Sequence, residues 1–126
     1  IAIRTAEPDK LAAFYHDVFE LTPVEGLSDQ DSFYLTDGRV HLVIRRWDPT
    51  TYRGMRAGLD HIGFKVENLE AAKKDIDVLA RTFPDSAPRK IDIGREGARR
   101  RQNLEACKLG GHATADPDGV LIDLSA

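Results

Sequence analysis

Between Pro8 and Leu21 the apolar residues fall at Leu11, Phe14, Tyr15, Val18 and Phe19, the spacing of one helical face. Pro8 suits the first helical position, where a missing N–H forfeits no hydrogen bond. A second helix is predicted after Asn68, a good N-cap. It carries Leu69, Ala72, Ile76, Leu79 and Ala80 on one side, with Glu70, Lys73, Lys74 and Asp75 toward water, and it ends before Pro84. Short runs bounded by turn residues predict strands at Ala2–Thr5, Ser32–Thr36, Arg39–Arg46, His61–Val66, Lys90–Ile93, Asn103–Lys108 and Val120–Ser125. Asp37-Gly38 joins two of them as a tight hairpin, and Asp116-Pro117-Asp118-Gly119 introduces the last.

This order of a strand, a helix and further strands occurs twice. Ile1-Ala2-Ile3-Arg4-Thr5 before the first helix matches Ile62-Gly63-Phe64-Lys65-Val66 before the second, in hydrophobic and basic positions more than in identities. One helix on a small sheet has too little apolar surface to stand alone, so the two units are expected to pack together. His61 then corresponds to the position just before Ile1. Because the chain begins at Ile1 without a methionine, a few preceding residues are expected to be missing, the twin of His61 among them.

Alternation along each strand sorts the side chains into two faces. Ile62, Phe64 and Val66 should lie under the second helix, leaving His61, Gly63 and Lys65 on the concave side. In Arg39–Arg46 the apolar set is Val40, Leu42 and Ile44, which puts His41, Val43 and Arg45 opposite. In the last strand Val120, Ile122 and Leu124 face the helix, and Leu121 and Asp123 the concave side. His41, His61 and Asp123 therefore converge on one predicted face. A carboxylate within an apolar strand is costly unless paired or bound to a cation, and two imidazoles with a carboxylate form a common metal-binding set.

Composition narrows the function classes. The 126 residues include 18 Lys+Arg against 21 Asp+Glu, a net charge of −3, so no basic field draws the chain to nucleic acid. No stretch approaches the roughly 20 apolar residues that span a bilayer, and no leader pattern is evident. The lone Cys107 forms no internal disulfide, and with no identifiable general base near it in sequence a nucleophilic role is unsupported. A cytoplasmic location is expected.

The pattern resembles the vicinal oxygen chelate superfamily, which includes glyoxalase I, methylmalonyl-CoA epimerase, extradiol dioxygenases and the fosfomycin and bleomycin resistance proteins. Its carriers are Ile1-Ala2-Ile3-Arg4-Thr5 with Leu11-Ala12-Ala13-Phe14-Tyr15, then Leu59-Asp60-His61-Ile62-Gly63-Phe64-Lys65-Val66, and Asp116-Pro117-Asp118-Gly119-Val120-Leu121-Ile122-Asp123. The resemblance implies one metal ligand from the first and last strand of each unit: the residue before Ile1, His41, His61 and Asp123. Relatives of glyoxalase type usually carry Glu where this chain has the shorter Asp123. It further implies a divalent ion (Ni, Co, Zn, Mn or Fe) that chelates vicinal substrate oxygens and favours removal of a neighbouring proton. Asp123 is the first candidate for the base and Glu105 the second, with a solvated edge position the alternative for Glu105.

Arg4, Arg45 and Lys65 are candidates for binding a substrate carboxylate or phosphate, or else extend to solvent. Arg95, Arg99, Arg100 and Arg101 fall in a Gly-containing loop, and Trp47, Tyr52 and Met55 in the stretch between the units. The expectation is one α+β domain over residues 1–126, with units of about 1–50 and 58–126. Each unit is of βαβββ type, and the two form a curved mixed sheet around one cleft. It is expected to act as a homodimer and as a metal-dependent lyase or isomerase working by enolisation on a small oxygenated or thioester substrate. A metal-free drug-binding protein of the bleomycin-resistance type is the rival, and an epimerase or dioxygenase on the same scaffold is a third option.

Overall fold

The computed structural model describes residues 1–50, 56–88 and 112–126. It is a mixed α+β structure, the class expected from the sequence. The chain divides into two compact units, Ile1–Asp60 and His61–Ala126.

In the first unit, β1 (Ala2–Thr5) leads into α1 (Pro8–Phe19), followed by β2 (Thr22–Pro23), β3 (Ser32–Thr36) and β4 (His41–Arg46). β1 pairs parallel with β4, while β3 pairs antiparallel with both β4 and β2. Pro8 starts the helix as expected. The helix ends two residues sooner than expected, because Glu20 takes a left-handed conformation (φ 58°) with its N–H donated back to His16. Of the predicted stripe only Leu11 and Tyr15 pack on the core, while Phe14, Val18 and Phe19 are 47%, 58% and 58% exposed. Leu35, Leu42, Ile44 and Ala12 form a buried cluster, with Ile3, Leu11, Tyr15, Leu21 and Phe33 packed against it. Val40, expected in that set, lies outside β4 and is 47% exposed. The hairpin turn accounts for this: the Asp37 carboxylate accepts the N–H groups of Arg39 and Val40, both at 2.8 Å, and holds them out of the ladder.

Strand β5 (Gly58–Lys65) starts in the first unit and ends in the second, where α2 (Leu69–Thr82), a 3-10 turn (Pro84–Ser86), β6 (His112–Ala115) and β7 (Leu121–Ser125) follow. β7 pairs parallel with β5 and antiparallel with β6. The helix begins where its cap predicts, with Asn68 Oδ1 accepting the Ala71 N–H at 2.9 Å. None of its residues is buried among those described, and it packs chiefly against the 3-10 turn. Phe64, expected under this helix, is 53% exposed. β6 is not among the strands the sequence pattern predicts. The expected strands Lys90–Ile93 and Asn103–Lys108 lie outside the described residues, as do Tyr52, Met55, Arg95, Arg99, Arg100, Arg101, Glu105 and Cys107.

Candidate functional site

Pairing in the second unit fixes which side chains share a face. Along β5, alternation puts His61, Gly63 and Lys65 on one side and Ile62 and Phe64 on the other. Gly63 is abreast of Asp123, and Lys65 of Ser125. On the far side of β7, Ala113 is abreast of Asp123 and Ala115 of Leu121. Asp123 therefore sits in a row between a glycine and an alanine, with His61 and Lys65 one diagonal step away on the neighbouring strand. Asp123 is buried, at 9% exposure, while His61 is half-buried. A Cβ added at Gly63 would meet only the Asp123 backbone oxygen, at 3.9 Å. Neither crowding nor a left-handed backbone demands glycine there, so its effect is to leave room beside the carboxylate.

The same step of the first unit carries different residues. There Ala2, Val43 and Tyr34 lie abreast, because Ala2 pairs with Val43 and Tyr34 with Val43. Since Ala2 is the repeat partner of Gly63, Val43 stands where the second unit has Asp123. His41 lies two residues earlier, exposed at the start of β4, where its carbonyl accepts a hydrogen bond from the Ile1 amino group at 2.9 Å. The resemblance put His41 in the place of Asp123; strand pairing sets it level with Leu121 instead.

The next row of the first unit holds Arg4, Arg45 and Ser32. Arg4 donates through Nη1 to Asp60 Oδ1 at 3.0 Å and through Nη2 to the Leu59 carbonyl at 3.1 Å. The side chains of this ion pair are only 4% and 6% exposed. Arg45 is half-buried beside it, and Lys65 is exposed. Asp60 did not figure among the sequence candidates. Its one signal is a carboxylate at the head of an apolar strand, which in a fold must find a cation or water.

On the opposite face of the second unit, His112 is abreast of Leu124. It contributes to the electrostatics of Glu70, whose carboxyl is held below its ordinary value by a hydrogen bond from Lys73 first and by His112 last. Among the described residues no three His, Cys, Asp or Glu side chains form a group able to hold a metal ion. His61 and Asp123 supply an imidazole and a carboxylate on one face with small neighbours. Two donors of these types are fewer than the three or four protein ligands of an ordinary metal centre.

The family model of the Glyoxalase/Bleomycin resistance protein/Dioxygenase superfamily matches residues 1–124. The chain belongs to this superfamily. Among solved structures it is similar to a glyoxalase/bleomycin resistance protein/dioxygenase family enzyme from Burkholderia phytofirmans, at 15% identity over 98% of this chain and 93% of that one, with a TM-score of 0.40. It is also similar to a lactoylglutathione lyase from Agrobacterium tumefaciens, at 18% identity over 98% and 88%, TM-score 0.34. A third is an antibiotic-binding protein from a Streptomyces species, at 15% identity over 99% and 90%, TM-score 0.34. No curated protein matches the chain. For this glyoxalase-superfamily chain, membership rests on the family model; the structural likenesses are loose and span relatives of unlike function.

Proposed function

We propose that the chain is a metal-dependent lyase or isomerase of glyoxalase type, acting by enolisation on a small oxygenated or thioester substrate. The observation that carries this reading is Asp123, a carboxylate kept buried between Gly63 and Ala113 with His61 on the same face. A buried carboxylate is tolerated where it is hydrogen-bonded, paired or bound to a cation, and carboxylate and imidazole are both donor types a divalent ion takes. His61 Nδ1 or Nε2 and the Asp123 carboxylate would hold the ion. A bound divalent ion would polarise substrate oxygens and acidify the neighbouring C–H group. Asp123, or Glu105 outside the described residues, would accept the proton. The space left by Gly63 would admit the substrate edge to Asp123. A homodimer in the cytoplasm is the setting this reading assumes.

The second reading, a metal-free protein that sequesters an apolar ligand, is favoured by Val43 in the place equivalent to Asp123. Titrating the purified protein with nickel, cobalt, zinc, manganese and ferrous iron separates the two. The enzyme reading expects one ion bound per chain, with loss in His61→Ala and Asp123→Asn variants whose circular dichroism is unchanged. A wild-type protein that binds none of these ions stoichiometrically would leave the ligand-binding reading.

A further inference from the structure

Helix α1 carries more apolar surface than the first unit covers. Ala12 belongs to the buried cluster, and Leu11 and Tyr15 pack against it. Phe14, Val18 and Phe19 remain 47%, 58% and 58% exposed. The rings of Phe14, Tyr15 and Phe19 lie against one another, with centroids 5.3, 5.7 and 5.8 Å apart. Single exposed apolar residues are ordinary, but a contiguous group of rings held by mutual contact marks a surface that meets something.

The charges beside Phe14 select the occupant. At about 3.6 residues per turn, Lys10, Phe14 and Asp17 fall along one side of the helix, with Val18 next to them toward the core. The Lys10 side chain is 77% exposed, and Asp17 is exposed as well. Lys10 meets Glu7 on its own helix, but that pair is itself exposed and holds the ammonium weakly. Lys10 precedes Phe14 by about 6 Å along the axis, and Asp17 follows it by about 4.5 Å. Two such helices placed antiparallel about a twofold axis at Phe14 bring Lys10 of each within about 1.5 Å, axially, of Asp17 of the other. A parallel pair would set lysine beside lysine and aspartate beside aspartate. From this we infer that α1 docks a second copy of the chain in antiparallel fashion, Phe14 on Phe14, with a Lys10–Asp17 ion pair on either side. The inference is independent of the metal reading and names the surface of the homodimer which that reading assumes. One helix pair is smaller than the roughly 800 Å² per partner of a standard interface, so association is reversible and concentration-dependent.

Sedimentation equilibrium of the full chain tests it, over about 5 to 500 µM. The wild type should follow a monomer–dimer equilibrium, and Phe14→Ser should weaken it by about tenfold or more with circular dichroism unchanged. Lys10→Asp and Asp17→Lys should each weaken it too, because each sets like charges together at both ends of the contact. An equimolar mixture of these two variants, one of them carrying a fluorophore, should form heterodimers at about wild-type strength. In that mixture one chain is acidic at both positions and the other basic, so both ion pairs return. A wild type that stays monomeric leaves the face to a partner of another kind and overturns the inference. A dimer unchanged by Phe14→Ser overturns it, as does a mixture that associates no better than either variant alone. None of these outcomes touches the metal titration, which reads His61 and Asp123.

Discussion

At one step of the repeat the first unit carries Ala2, Val43 and Tyr34 abreast, and the second carries Gly63, Asp123 and Ala113. One row further, the first unit buries Arg4 against Asp60, while the second exposes Lys65. Backbone pairing is alike in both; the side chains are not. The helices differ in the same sense. α1 packs over Ile44, Leu42 and Leu35, whereas α2 has no buried residue among those described. Among the described residues the first unit thus holds the larger buried cluster, and the second carries His61, Asp123 and Lys65 on one face. Small neighbours around Asp123 sacrifice apolar contact, and a face built that way suits a ligand better than a core.

The sharpest way to break this contrast is to remove Arg4. Arg4→Met should cost about 3–5 kcal/mol in chemical denaturation, because Asp60 is left as a buried charge without its cation. Lys65→Met, at the matching step, should cost under about 0.5 kcal/mol. Equal losses would mean that the two rows do the same job. Next in size, Ile44→Ala removes a fully buried side chain and should cost about 2–5 kcal/mol. Leu79→Ala in α2, where the side chain is 55% exposed, should cost about 1 kcal/mol or less. The order of these two midpoints on a urea curve checks which unit holds the packing.

Smaller effects sharpen the picture. Gly63→Ala introduces only an ordinary contact, at 3.9 Å from the Asp123 oxygen. It should leave stability equal or raise it by up to about 1 kcal/mol, since glycine in a strand interior is unfavourable. A clear loss would mean that glycine serves the backbone and not the open space. The mildest effect concerns the hairpin of the first unit. Asp37 is held below its ordinary 3.8 by the N–H groups of Val40 and then Arg39. Its folded value is depressed, so its contribution is present above the unfolded value and fades as the pH falls through the lower folded one. NMR titration of the Asp37 carboxyl should give a midpoint below 3.8, with the Arg39 and Val40 amides shifting in step.

Local physics made much of this legible before any coordinates. The Asn68 cap, the Pro8 start, the turn at Gly38 and the inward set Leu42 and Ile44 each follow from one short stretch of chain, and the structure has all of them. The repeat itself was readable because both helices follow strands of like pattern. Register was not. Alternation shows that His41 and Val43 share a face, but only hydrogen bonding to β1 decides which of them lies level with Ala2. The Arg4–Asp60 pair was hidden for a related reason: alternation placed Arg4 on a face, whereas its partner comes from far along the chain. β6 was missed because Gly110-Gly111 marks a loop and the four residues after it show no alternation of their own. The role of Glu105 falls outside the described residues and stays with the resemblance that suggested it.

The most direct test of an asymmetric repeat is the visible absorption spectrum of the cobalt-loaded chain, which reports the ligands around the ion. The prediction is a set of cobalt bands in the wild type that is retained in Val43→Leu and lost or displaced in Asp123→Asn. Identical spectra from wild type and Asp123→Asn would contradict the claim that the second unit's carboxylate is where the chemistry sits.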